Sequence, residues 1–129
     1  MAVRVVRLAN ARHPQEGLRI GTVRHPPRGV RKTDYARRNY FDLWLPELAP
    51  SAALVSWAFS ETLTPKRWNT FERRYRREMN APPPQRIIKL LAALSHQVNF
   101  SVGCYCQDET HCHRSLLKEL LREQAAKLV

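Results

Sequence analysis

The sequence contains no apolar run that approaches the roughly 18 residues needed to cross a membrane as a helix. Its densest apolar stretch, residues 87–94, is interrupted by Lys89. The first residues, Met1 to Arg4, also lack the apolar core of a signal peptide. These absences argue against a membrane-spanning or secreted protein. We therefore expect a cytoplasmic protein that has no membrane partner.

Cysteine is scarce, and its three copies, Cys104, Cys106 and Cys112, are crowded into one short stretch. An odd, clustered set is not typical of the disulfide frameworks of small secreted domains, so it predicts reduced thiols in the cytosol. The sequence also lacks a CxxC redox pair and the CxxCH motif that attaches haem. No motif in the chain predicts a cofactor.

Acidic residues are half as numerous as basic ones, 11 against 22, which gives a formal net charge of +11. This imbalance favours a polyanionic partner, either nucleic acid or a phosphate-bearing small molecule. The alternative is that the basic residues only solvate helix faces. Basic residues also alternate with aromatic ones, as in surfaces that contact phosphates and stack bases. We place a candidate nucleic-acid surface at Arg37, Arg38, Arg73 and Arg77.

The apolar content of 43% and the spacing of apolar residues predict a single α/β domain over residues 1–129. The expected architecture is a three-layer, Rossmann-like fold with a small, mostly parallel sheet flanked by helices. Strands are predicted over residues 3–8, 18–23 and 98–106. Helices are predicted over residues 52–59, from Thr64-Pro65 to Asn80, over residues 84–96, and from Ser115 onward with Leu128 in the apolar stripe. Residues 41–53 read as a short turn, and no repeat or domain boundary is evident.

The densest group of chemically versatile side chains is the run from residue 104 to residue 114, between a predicted strand and a predicted helix. In open α/β sheets, ligands bind where loops leave the carboxyl ends of the strands. With Thr110 as the N-cap, the amides of the next residues would offer hydrogen bonds to phosphate. The sequence thus predicts an anion pocket between residues 24–29 and 106–114. Its candidate anion-binding residues are Arg24, Arg28, Thr110, Arg114 and Ser115.

The same run also offers groups for catalysis. His113 is the candidate general acid or base, oriented by Asp108 or Glu109. Cys112 or Cys106 is a candidate thiolate, since a helix N-terminus beside His and Arg lowers the pKa of a thiol, although an unreactive cysteine is the favoured interpretation. Cys106 and Arg114 are too far apart in sequence for the Cys-x5-Arg loop of phosphatases. Whether any reaction occurs is left open by these residues.

A zinc site or a redox thiol is the further alternative. Its candidate ligands are Cys106, His111, Cys112 and His113, which is enough for zinc although no CxxC knuckle is present. In a strand, Cys104 and Cys106 would lie on one face about 7 Å apart, which is wider than zinc prefers. The sequence therefore favours small buried cysteines and predicts no metal.

Several segments resemble a bacterial family known as domain of unknown function 488. The ending from His111 to Leu117 resembles the C-terminal pattern of that family. Residues 24–29, residues 44–51 and the helix from Trp68 to Glu78 resemble its YeaO-like branch in the same order. The resemblance covers about residues 3–125, and it implies a small three-layer α/β fold without an established activity. This chain differs from that branch in having Val23 where the branch has an acidic residue, and in its cysteines.

Overall fold

The computed structural model of the protein describes residues 1–106 and 111–129. Four strands form one sheet in the order β1-β4-β2-β3, and every neighbouring pair is parallel. The strands are β1 (Val3–Arg7), β2 (Leu18–Gly21), β3 (Leu43–Trp44) and β4 (Phe100–Cys104). The predicted α/β class and the predicted small parallel sheet are both confirmed. Strand β4 ends at Cys104, so the period-two pattern that reaches Cys106 overstates its length.

Four α-helices complete the fold. They are α1 (Ala52–Phe59), α2 (Pro65–Met79), α3 (Pro82–Leu94) and α4 (His113–Glu123). The predicted starts of the first two are confirmed by their caps, because Ser51 and Thr64 each accept a backbone N–H of the first turn through the side-chain oxygen.

Two predictions were wrong, one about residues 41–53 and one about the C-terminal residues. Residues 41–53 are not only a turn, because Leu43–Trp44 pairs with the outer edge of β2 as strand β3. A two-residue strand gives no periodicity to detect. Leu128 was assigned to the last helix, but α4 ends at Glu123 and Leu128 forms a bridge with Val3 at the edge of β1.

The apolar faces of all four helices share one core with one face of the sheet. That core contains strand residues Val3, Ile20, Phe100 and Val102, together with buried side chains from each helix. The opposite face carries Arg19, which is completely buried, and the loop around Asn10 and the loop around Asn39 cover it there. Helices therefore cover one face of the sheet, and loops cover the other.

Arg19 is neutralised on that face by Glu16, which is also buried. The guanidinium donates to both carboxylate oxygens at 2.7 and 2.8 Å, and a third nitrogen donates to the carbonyls of Asn10 and Asn39. Burial opposes ionisation of Glu16, but the hydrogen bonds and charge of Arg19 outweigh it and lower the pKa of that carboxyl. The pair therefore ties two loops to the sheet.

Candidate functional site

A cavity of about 880 Å³ opens at the edge of the sheet where β2 and β4 end. Its walls come from the segment after β2, the end of β4, helices α1 and α2, and the residues that precede α4. Parallel strands end together at this edge, which is where α/β proteins bind ligands. Of the two segments that the sequence singled out, residues 24–28 line the cavity, as do Cys106 and residues 111–113.

Aromatic rings form much of the cavity wall. Trp68 and Phe71, on consecutive turns of α2, stack with ring centroids 5.2 Å apart, and the ring of His111 meets Trp68 edge-on at 5.3 Å. Tyr105 and Tyr40 form a second edge-on pair at 6.0 Å. The hydroxyl of Tyr105 is buried and has no hydrogen-bond partner among the described residues. Burial, with smaller contributions from neighbouring tyrosines, raises the pKa of Tyr105.

The predicted anion-binding arginines are separated by the fold. Arg24 lines the cavity, but its guanidinium donates to the carbonyls of Pro50 and Ala49 at 3.0 and 3.2 Å. Arg28 lines the cavity and is exposed. Arg114 is buried and does not line this cavity in the described part of the chain; its guanidinium lies 3.5 Å from the Cys104 carbonyl.

The expected cap of the last helix was wrong. Helix α4 begins at His113, and its N-cap is Cys112, which has an extended backbone and makes no side-chain capping bond. The side-chain hydroxyl of Ser115 donates to the Cys112 carbonyl at 2.8 Å. This bond within the first turn uses the hydroxyl proton that the sequence assigned to an anion. Asp108, Glu109 and Thr110, which the sequence assigned to orientation and capping, lie outside the described residues.

His113 is buried between the end of β2 and Cys112. Its Nε2 lies 2.6 Å from the Thr22 carbonyl, and its Nδ1 lies 3.8 Å from the Cys112 sulfur. Burial lowers the pKa of His113 to about 4, against the opposing hydrogen bond to Thr22 and with help from the charge of Arg114. The ring is therefore neutral at pH 7. Its proton belongs on Nε2, which faces a carbonyl, so the Nδ1 lone pair points to the sulfur side.

The three cysteines come together on the cavity wall. The sulfur atoms of Cys104, Cys106 and Cys112 all lie within 4.8 Å of one another. The structure pairs Cys104 with Cys112, so the prediction that all three remain separate thiols was wrong for these two. The predicted 7 Å spacing of Cys104 and Cys106 was also wrong for their sulfurs, because the strand ends at Cys104 and Cys106 is released from strand geometry.

The family profile described as the Active DUF488-N3 subclade matches residues 3–125, which is nearly the whole chain. The chain belongs to the DUF488 family. No curated protein and no solved structure matches it. The match confirms the resemblance to the family as a whole, while the YeaO-like branch stays a prediction.

The DUF488 protein also presents basic residues outside the cavity. Arg37 forms an exposed ion pair with Asp34, and the guanidinium of Arg38 lies over the Tyr40 ring at 5.8 Å. Arg73 and Arg77 are exposed on α2. Their role in binding nucleic acid stays a prediction.

Sequence reasoning missed a cation–π cluster on the DUF488 protein. The guanidinium groups of Arg67 and Arg74 lie 4.2 and 4.6 Å from the centre of the Trp57 ring. The sequence gives no sign of this contact, because Trp57 is in α1 and its two partners are in α2, beyond the connecting residues 60–64. Among residues 1–106 and 111–129, no helix of the protein is both long and apolar enough to cross a membrane.

Proposed function

We propose that this DUF488 protein binds a phosphate-bearing ligand with a flat ring, a nucleotide or a nucleic-acid fragment, in the cavity at the carboxyl edge of its sheet. The observation that carries the proposal is the composition of the cavity wall. Aromatic rings on one part of the wall are combined with an exposed arginine and histidine on another. Ring stacking and cationic contact are the two interactions that a nucleotide needs.

The aromatic part of the wall suits the flat ring of such a ligand. Trp68 is held against Phe71, so its orientation is fixed before a ligand arrives. A base that stacks on such a ring gains about 1 to 3 kcal/mol. The buried hydroxyl of Tyr105, which lacks a partner among the described residues, supplies a polar contact at the other side of the wall.

The cationic part of the wall suits phosphate. Arg28 and His25 are exposed and line the cavity, so their side chains are available at its rim. Arg24 has a different role here, because its bonds to Ala49 and Pro50 fasten the segment after β2 to the start of α1. We therefore assign the phosphate contact to Arg28 rather than to Arg114.

Isothermal titration calorimetry with adenosine and uridine monophosphates tests this proposal. We expect binding to the unaltered protein and a rise in Kd of at least about tenfold in Arg28→Ala, the usual effect of losing one charge-assisted contact. Arg73→Ala is the matched control, since it removes an exposed arginine that does not line the cavity, and its Kd should change less than twofold. Equal losses in both variants, or no binding to the unaltered protein, would refute the cavity as the nucleotide site.

A non-catalytic nucleic-acid-binding function is the second candidate. It is favoured by Arg38 and Tyr40, which place a cation and a ring side by side at the surface. Because Tyr40 also lines the cavity, a single strand that enters the cavity with one nucleotide would meet both groups.

A further inference from the structure

The three cysteines form a cluster that the nucleotide proposal does not use. Cys104 ends β4, Cys112 occupies the N-cap position of α4, and Cys106 lies between them in sequence. Their sulfur atoms are all within 4.8 Å of one another. We propose that the reduced cluster binds one Zn²⁺ ion through the thiolates of Cys104, Cys106 and Cys112.

The sulfurs of the reduced cluster can adopt the separations that zinc requires. Four ligands at the corners of a tetrahedron with Zn–S bonds near 2.3 Å place neighbouring sulfurs about 3.8 Å apart. Once the Cys104–Cys112 bond is reduced, sulfurs that all lie within 4.8 Å of one another reach that geometry by small side-chain rotations. Thiolates are also the ligands that bind Zn²⁺ in preference to Mg²⁺ or Ca²⁺.

The backbone spacing of Cys104 and Cys112 also suits a bridging metal, once the bond that joins these two residues in the structure is reduced. The Cα atoms of Cys104 and Cys112 are 7.9 Å apart. Disulfides usually join Cα atoms that are about 4.4 to 6.8 Å apart. A metal between the two sulfurs widens the link from one bond of about 2 Å to about 3.8 Å, so it spans the wider gap.

The surroundings of the cluster stabilise thiolates. Cys112 stands at the N-terminus of α4, where the helix dipole favours negative charge. Three thiolates around Zn²⁺ carry a net charge of −1, and the buried guanidinium of Arg114 lies 3.5 Å from the carbonyl of Cys104. The charge of the site and that of the arginine therefore offset each other in a buried place.

Three ligands leave one tetrahedral position of the zinc for water or substrate, as in catalytic zinc sites. All three cysteines line the same cavity as Arg28 and Trp68, so this position belongs to the cavity. The set differs from the one expected from sequence, because Cys104 replaces both histidines. His113 instead donates from Nε2 to Thr22 and is held beside Cys112.

The test is the metal content of the full chain purified with reductant and without chelator, then loaded with Zn²⁺ or Co²⁺ alone. We expect one metal ion per chain by native mass spectrometry, and Co²⁺ should show the thiolate charge-transfer and visible bands of a tetrahedral site. Cys106→Ser should weaken Zn²⁺ binding by at least about 100-fold, the upper end of what losing an outer-shell partner costs. We choose Cys106 because it is less buried than the other two, so its loss threatens folding least.

Tyr105→Phe is the matched control, since it alters the residue between two ligands and keeps every thiol; it should still bind one metal ion. Circular dichroism of each variant establishes that it is folded. Three results would overturn the proposal: no metal uptake by the reduced protein, uptake that Cys106→Ser leaves unchanged, or a Cys104–Cys112 disulfide that persists in reductant and blocks uptake.

Discussion

The Nε2 atom of His113 lies 2.6 Å from the carbonyl oxygen of Thr22. This contact joins the first residue of α4 to the chain just beyond β2, across the base of the cavity. Because burial keeps the imidazole neutral, the bond also fixes which ring nitrogen carries the proton. His113 thus adds a side-chain link between α4 and the segment after β2 that carries the basic rim.

His113→Ala should lower the free energy of unfolding by about 2 to 4 kcal/mol, since it leaves the Thr22 carbonyl without its donor and opens a cavity in the core. The matched control is His96→Ala. His96 also contacts a backbone carbonyl, that of Ala125 at 2.8 Å, but it is exposed, and its loss should cost less than about 1 kcal/mol. Urea unfolding of both variants measures the difference. An equal fall in the free energy of unfolding would show that burial does not determine how much each contact stabilises the protein.

Glu16→Gln should destabilise the protein by about 3 kcal/mol, because it leaves the buried guanidinium of Arg19 without its counter-charge. Arg37→Ala removes one partner of the exposed Asp34 pair and should cost no more than about 0.5 kcal/mol. Chemical unfolding curves at pH 7 compare the two. A loss below 1 kcal/mol for Glu16→Gln would contradict the idea that this pair fastens the loop layer to the sheet.

Acid should weaken the same pair. The pKa of Glu16 is lowered in the folded protein, so the unfolded chain takes up a proton first as the pH falls. The stabilisation is present above the ordinary titration range of a glutamate and is lost as the pH falls from about 5 to about 3. Unfolding free energies over this range should therefore fall less steeply in Glu16→Gln than in the unaltered protein. Parallel pH profiles would count against an ionised Glu16.

Nucleic-acid binding by the basic surface should depend steeply on salt. Each phosphate that the protein neutralises releases counterions, so replacing Arg37 and Arg38 with alanine should reduce the slope of log K against log salt by about 2. The measurement is fluorescence anisotropy with a labelled single strand at several salt concentrations. The Arg73→Ala and Arg77→Ala pair tests the α2 face in the same way. A slope near zero in the unaltered protein would eliminate the basic surface as a nucleic-acid site.

Helices and strands could be predicted where a short stretch of sequence contains the whole signal for them. Thr64 followed by Pro65 marks a helix start by capping chemistry alone, and the alternation from Phe100 to Cys104 marks a strand. Strand β3 was beyond such reasoning, because two exposed residues, Leu43 and Trp44, become a strand only by pairing with β2. Its existence depends on tertiary contacts that no local window contains.

The position of the cavity could be predicted from the sequence, but the residues that line it could be predicted only in part. Residues that end β2 and β4 had to meet at one edge, since parallel strands end together. Arg114 looked available because it stands at the start of a helix, yet its side chain turns into the core beneath β1 and β4. Cys104 was expected to be inert because it is buried at the end of a strand. Its sulfur nevertheless lies beside two other sulfurs.

The most direct test of the account is a nuclear magnetic resonance titration of the isotopically labelled protein with adenosine monophosphate. We predict that the largest amide shifts belong to residues 23–28, 104–106 and 111–113, which surround the cavity. Arg28→Ala should remove those shifts. Shifts confined to the surface around Arg37, Arg73 and Arg77 would contradict the account, because the ligand would then bind outside the edge where β2 and β4 end.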